Sequence, residues 1–165
     1  MKKSLKVLLA VLVTTLIACG EKEEKKKAGF SYENTSTETT SVEATKNLPP
    51  SKTIDLTSKG IGAVTSLTLD ANINTELAKT GSKIFNRTCT SCHRTDKKFI
   101  GPAPKDILKR RTPEWVMNIM LNPEKMVKQD SLAKALLAEF NGSPMPYQGL
   151  TEDDARALLE YFRTL

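Results

Sequence analysis

Cys89-Thr90-Ser91-Cys92-His93 gathers two of the three cysteines and the single histidine of this 165-residue chain into five consecutive positions. Two thiols at C-x-x-C spacing can each add across one vinyl group of a haem. A histidine directly after the second thiol is then held beneath the iron as its axial ligand. This spacing reads as a c-type haem attachment site, and imidazole is a usual proximal ligand of haem iron. The expected cofactor is therefore one covalent haem c, with thioethers at Cys89 and Cys92 and His93 on the iron. Rival chemistries use the residues less fully. A redox-active dithiol would leave His93 without a role, and no βαβ pattern surrounds the pair. A structural zinc site needs four ligands, and the only other Cys or His is Cys19, far upstream. A disulfide between Cys89 and Cys92 would close a short, strained loop.

Cys19 has its own explanation. Lys2, Lys3 and Lys6 precede a short apolar run from Val7 to Ile17, too short to span a bilayer, which reads as a signal peptide over residues 1–18. Leu16-Ile17-Ala18-Cys19 resembles a bacterial lipobox, which implies cleavage before Cys19 and lipidation of that residue. Two or more acyl chains give stable membrane anchoring. Cys19 then carries lipid and the other two cysteines carry haem, so none remains for a disulfide.

Residues 19–53 are expected to form a flexible linker. They hold a mixed charge block from Glu21 to Lys27 and a Ser/Thr/Glu-rich stretch ending at Pro49-Pro50, with little to bury. About thirty such residues have a root-mean-square span of roughly 30 Å. In residues 54–74, Ile54, Leu56, Ile61, Val64, Leu67 and Leu69 are apolar, and Gly60 and Gly62 permit turns. This segment reads as a short extended brace against the domain that follows, with a flap over a haem edge as the other reading.

From residue 75 to 165 the pattern is helical throughout, and the fold class is all-α. Thr75 is placed to cap a first helix through Phe85. Thr112 followed by Pro113 opens a second, carrying Trp115, Ile119 and Met120 on its apolar face. Asn122-Pro123 opens a third, and Asp130 or Ser131 a fourth that ends at Gly142. The last begins at Thr151, with Glu152, Asp153 and Asp154 at its positive end. The formal charge of +6 overstates the basic character. Residues 75–165 hold fifteen Lys or Arg against eleven acids, a net of +4, and residues 19–74 sum to −1. That balance suits electrostatic steering toward an acidic protein patch. With no basic-aromatic stripe, nucleic acid is not an expected partner.

Residues 75–165 resemble the monohaem class I cytochromes c. Gly81-Ser82-Lys83-Ile84-Phe85 stands before Cys89 at that family's G-x-x-x-[FY] offset, and Leu158 and Tyr161 match its C-terminal partner helix. Gly101-Pro102 matches the loop whose proline carbonyl accepts the second imidazole N–H of the haem histidine, so the resemblance gives Pro102 that role. Met145, in Ser143-Pro144-Met145-Pro146-Tyr147, stands where the family keeps its distal iron ligand. Met117, Met120 and Met126 compete for that role but lie in helical stretches, where methionine more often fills core. Trp115 reads as a packing residue facing the haem. The run Lys109-Arg110-Arg111, with Lys97, Lys98 and Lys105, suits either an exposed haem edge or a solvated face.

The resemblance implies a single-electron carrier, not an enzyme: a monomeric, lipid-anchored cytochrome serving redox partners of a respiratory chain in a bacterial envelope, its haem domain in the periplasm. The alternative is a haem enzyme or gas sensor with an open distal iron site. Met145 and the lack of a second histidine for distal acid–base work weigh against it.

Overall fold

The computed structural model describes residues 48–165. The expected signal peptide at 1–18, the expected lipid site Cys19 and the expected linker as far as residue 47 lie outside the described residues. Within them run five α-helices: α1 (Thr75–Thr88), α2 (Pro113–Leu121), α3 (Pro123–Gln129), α4 (Ser131–Glu139) and α5 (Glu152–Arg163), with a 3-10 turn at Ile107–Lys109. Among the described residues there is no strand, only one isolated bridge between Asp55 and Arg111.

The caps explain where each helix starts. Asn74, not Thr75, caps α1, its side chain accepting from the N–H groups of Glu76 and Leu77. An amide oxygen one residue upstream reaches the free N2 and N3 donors, so Thr75 becomes the first helical residue. Thr112 caps α2 ahead of Pro113, and Asn122 caps α3 ahead of Pro123. Asp130 caps α4, and Thr151 forms a reciprocal capping box with Asp154 at α5. After α4, Asn141 and Gly142 both take left-handed backbone angles. The N–H of Gly142 returns to Leu137 O at 2.8 Å, which turns the chain into the helix-free stretch 143–150.

The principal packing is α1 across α5. Gly81 makes it possible, because a Cβ at that position would overlap the Ala157 carbonyl. Next to this approach Phe85 packs on Tyr161, ring centroids 5.5 Å apart, and edge-on to Phe162 at 6.0 Å. Leu158, Leu159 and Ala155 are fully buried beneath them. At the far end Glu160, 1 % exposed, accepts from Arg156 at 2.7 Å, from Arg163 at 2.8 Å and from the Asn74 N–H at 3.1 Å. One carboxylate thus ties the start of α1 to the end of α5.

Residues 54–74 are extended without a neighbouring strand, and side chains take the place of one. Asn118 on α2 accepts from Val64 N–H and donates to the carbonyls of Lys59 and Val64. Glu114 accepts from Leu67 N–H, and the Met126 sulfur from Ile61 N–H at 3.0 Å. The backbone of this segment is therefore satisfied from α2 and α3. Val64 is buried in the core, and Ile61, Leu67 and Leu69 pack against it. The linker is shorter than its composition suggests. Pro49–Thr53 form a turn, with Lys52 N–H bonded to Pro49 O at 2.8 Å, and this turn is docked on Arg111 and Glu139. Composition could not reveal those bonds, since two of the four use backbone carbonyls and the other two a single serine.

Two outcomes are expected. Glycine to alanine in a helix normally gains about 1 kcal/mol. Gly81→Ala should instead lose about 1–3 kcal/mol in urea unfolding, because the obstacle is a backbone carbonyl that cannot rotate away. The second concerns acid. Burial alone would raise the Glu160 carboxyl, but hydrogen bonds from Arg156, Arg163 and Asn74 outweigh it and hold the group below the usual carboxylate range. A depressed folded value gives stability that is present above about pH 4.3, the ordinary Glu value, and that is lost as pH falls through the folded one. Thermal melting between pH 6 and pH 3 should show this loss, and Glu160→Gln should flatten the same part of the curve.

Candidate functional site

The carboxyl end of α1 delivers the reactive residues. Cys89 caps the helix, its N–H bonded to Phe85 O. The chain then turns tightly, with Cys92 and His93 N–H groups both returning to Cys89 O, at 3.1 and 2.9 Å. Gly101 N–H closes the following loop onto Cys92 O at 2.8 Å. Both cysteines are half-buried, and no disulfide joins them. Burial pushes the Cys89 thiol up, partly offset by the neighbouring Thr88 hydroxyl.

His93 is oriented by one bond. Its Nδ1 lies 2.7 Å from Pro102 O. A carbonyl can only accept, so the proton sits on Nδ1 and the Nε2 lone pair is left free. Gly101 lies flat against the ring: a Cβ there would come within 2.9 Å of Nδ1 and Nε2. The imidazole is therefore fixed in rotation as well as in tautomer.

Cys89, Cys92 and His93 open onto an apolar cavity of about 170 Å³. Met145 lines the same cavity, with Pro102, Ile100, Trp115, Met120, α4 residues Leu136 and Leu137, and Phe140 just after α4. The structure thus brings together Cys89, Cys92, His93, Pro102 and Met145, from three separate stretches of chain. It separates Met126, which is fully buried with its sulfur engaged by Ile61 N–H, and Met117, which is buried in the core cluster. Met120 shares the cavity wall but projects from α2, whereas Met145 sits in the helix-free stretch. Leu150 belongs to the core cluster. Trp115 combines packing with a polar tether, its indole N–H donating to Asp130 Oδ1 at 3.3 Å.

Two further wall residues, Arg110 and Arg111, do not form the solvated face that is one of the two sequence readings of their run. Arg111 is 2 % exposed and carries an Nε with no partner, and the Arg110 Nε is likewise buried and unpartnered. Ser51, upstream of the helical domain, also reaches the wall. A buried arginine has no signature in one sequence, and nothing in the composition of residues 49–53 marks them as part of a site.

A family model for cytochrome c matches residues 78–165, just over half of the chain. The chain belongs to the cytochrome c family. Among solved structures, a cytochrome c from Rhodothermus marinus is 45% identical, with 62% of this chain and 88% of that chain covered and a TM-score of 0.60. An engineered cytochrome c from the same organism, Rma TDE, is 44% identical with a TM-score of 0.60, covering 62% of this chain and 89% of its own. The same engineered protein bound to a carbene intermediate is 44% identical over 62% and 88%, with a TM-score of 0.58. No curated protein matches the chain significantly.

As a monohaem cytochrome c, the protein carries covalently bound haem c and acts in electron transfer. The site fits that group. Two cysteine sulfurs, an imidazole with its lone pair available and a thioether line one apolar cavity, and the two unpartnered guanidinium Nε atoms in its wall suit carboxylates. Because Gly101 touches the imidazole face, Gly101→Ala should cost about 1–3 kcal/mol and disturb the iron's ligand field. A changed low-temperature magnetic spectrum of the oxidised protein is the expected readout.

Proposed function

We propose that the protein is a lipid-tethered single-electron carrier of a bacterial envelope, with its haem domain in the periplasm and its anchor at Cys19. The observation that carries the site is the convergence of Cys89, Cys92, His93 and Met145 on one apolar cavity, with the His93 proton held by Pro102. Bound there, haem c supplies a one-electron ferric–ferrous couple. In this reading Cys89 and Cys92 form the thioethers and hold the group in place. Pro102 fixes the tautomer of His93 and raises its basicity toward the iron. Met145 offers a neutral, soft thioether from the helix-free stretch 143–150, a ligand that would raise the potential. The apolar wall excludes water and keeps the local dielectric low.

A carrier also needs a surface for its partner. Ile100 both lines the cavity and is 46% exposed. Beside it in sequence stand Lys97, Lys98 and the exposed Phe99, whose ring lies under the Arg94 guanidinium at 4.0 Å. An apolar rim set among cations suits brief docking of an acidic redox protein, with charge governing the rate of encounter. Residues 1–18 as signal and the following linker as tether complete the reading: the domain would move between partners above one membrane.

The test reads attachment and ligation together. Acid-acetone extraction of the purified protein should leave the haem on the polypeptide. Met145→Ala should lower the potential and abolish the weak far-red band of a methionine–ferric bond, while Met126→Ala and Met120→Ala keep that band. Retention of both the band and the potential in Met145→Ala would assign the distal ligand to another residue.

A further inference from the structure

We infer that Pro49–Thr53, a strap lying outside the residues that the family model matches, is a working part of the haem site because it positions Arg111 in the cavity wall. The inference rests on the haem-site reading given above.

Two of the three side-chain hydrogen bonds of Arg111 go to this strap. Its Nη1 donates to Thr53 O and, at 2.7 Å, to Arg110 O, and its Nη2 donates to Pro50 O at 2.6 Å. The far side of the strap is fastened to the end of α4: Ser51 N–H and Oγ both donate to the Glu139 carboxylate, at 2.7 and 2.6 Å. Nη1 makes two bonds and Nη2 one, while the buried Nε of Arg111 has no partner, and both Arg111 and Ser51 line the cavity.

The charge count points the same way. Asp55, Asp130 and Glu139 are close enough to act on Arg111, yet among the described residues no carboxylate forms an ion pair with it. Burial, and after it the charge of neighbouring Arg110, press its guanidinium below the usual range. An arginine kept buried without a partnered anion is costly, and a haem propionate is an anion of the right geometry for it. A fixed positive charge in this wall favours the ferrous state, since reduction removes a positive charge from the iron. The strap thereby contributes to the potential: it supplies the two carbonyls that aim the cation, and it keeps water from that edge of the cavity.

The experiment is a redox titration of the full-length, haem-bearing protein. Ser51→Pro alters no charge, removes both donors to Glu139 and puts proline where the Pro49–Lys52 turn disfavours it. Its midpoint potential should fall. Arg111→Gln should shift the potential the same way, and Arg111→Lys by less, since it keeps the charge without the forked donors. The double variant Ser51→Pro/Arg111→Gln should fall no further than Arg111→Gln alone. If Ser51→Pro gives no holoprotein, Ser51→Ala, which removes only the hydroxyl donor, is read in its place and should fall in the same direction. An unmoved potential in the haem-bearing serine variant would overturn the inference, and so would falls that add in the double variant. Absence of covalent haem from the unsubstituted protein would instead remove the reading of the site itself.

Discussion

The close approach of α1 to α5 at Gly81 governs the rest of the architecture. With no side chain at that position, the α1 backbone lies against the Ala157 carbonyl, and Phe85, one turn further along, can pack on Tyr161 and Phe162. Phe85 also lines the cavity and its carbonyl receives the Cys89 N–H. The contact that sets the helix crossing therefore also sets where the attachment turn begins. Glu160 fixes the other end of the same pair through Asn74, so α1 is held to α5 at both ends.

A second layer is polar and has its own logic. The extended chain at 54–74 leaves its amides to be satisfied by side chains. Asn118, 1 % exposed, uses both ends of its amide on that segment, and Glu114 and Met126 take two further N–H groups. Unpaired, such groups would each cost about 1–3 kcal/mol. Gly62 follows from this arrangement: a Cβ there would overlap the Asn118 amide. The brace thus holds the side of α2 away from the cavity while Trp115, Val116 and Met120 on the same helix face inward.

Much of this was legible in the sequence because it depends on local chemistry. Capping residues at Thr112, Asn122, Asp130 and Thr151, proline at first helical positions, and the offsets of Gly81, Phe85 and Tyr161 about the thiol motif all act within a helix or between two. Those signals gave the helices and the fold class. The departures have a common physical origin. Asn74 displaced Thr75 as cap because two adjacent residues can both accept from the N2 and N3 donors, and the pattern alone does not choose between them. Arg111 was read within a basic run because burial of a guanidinium depends on carbonyls some sixty positions away in sequence. Residues 49–53 were read as linker because their bonds to the domain are made by Pro50 and Thr53 carbonyls and by one serine, none of which composition records.

That docking also settles how mechanical load would travel. The described chain begins just before the Pro49–Thr53 turn, which lies at the cavity wall and is tied to the last residue of α4. Tension along it meets first a small set of hydrogen bonds to Arg111 and Glu139, and only afterwards the packed α1–α5 pair. The arrangement works as a fuse. A sideways pull would part the carbonyls of Pro50 and Thr53 from the guanidinium while the helices stayed closed, so strain on the upstream chain is registered first at the edge of the redox centre.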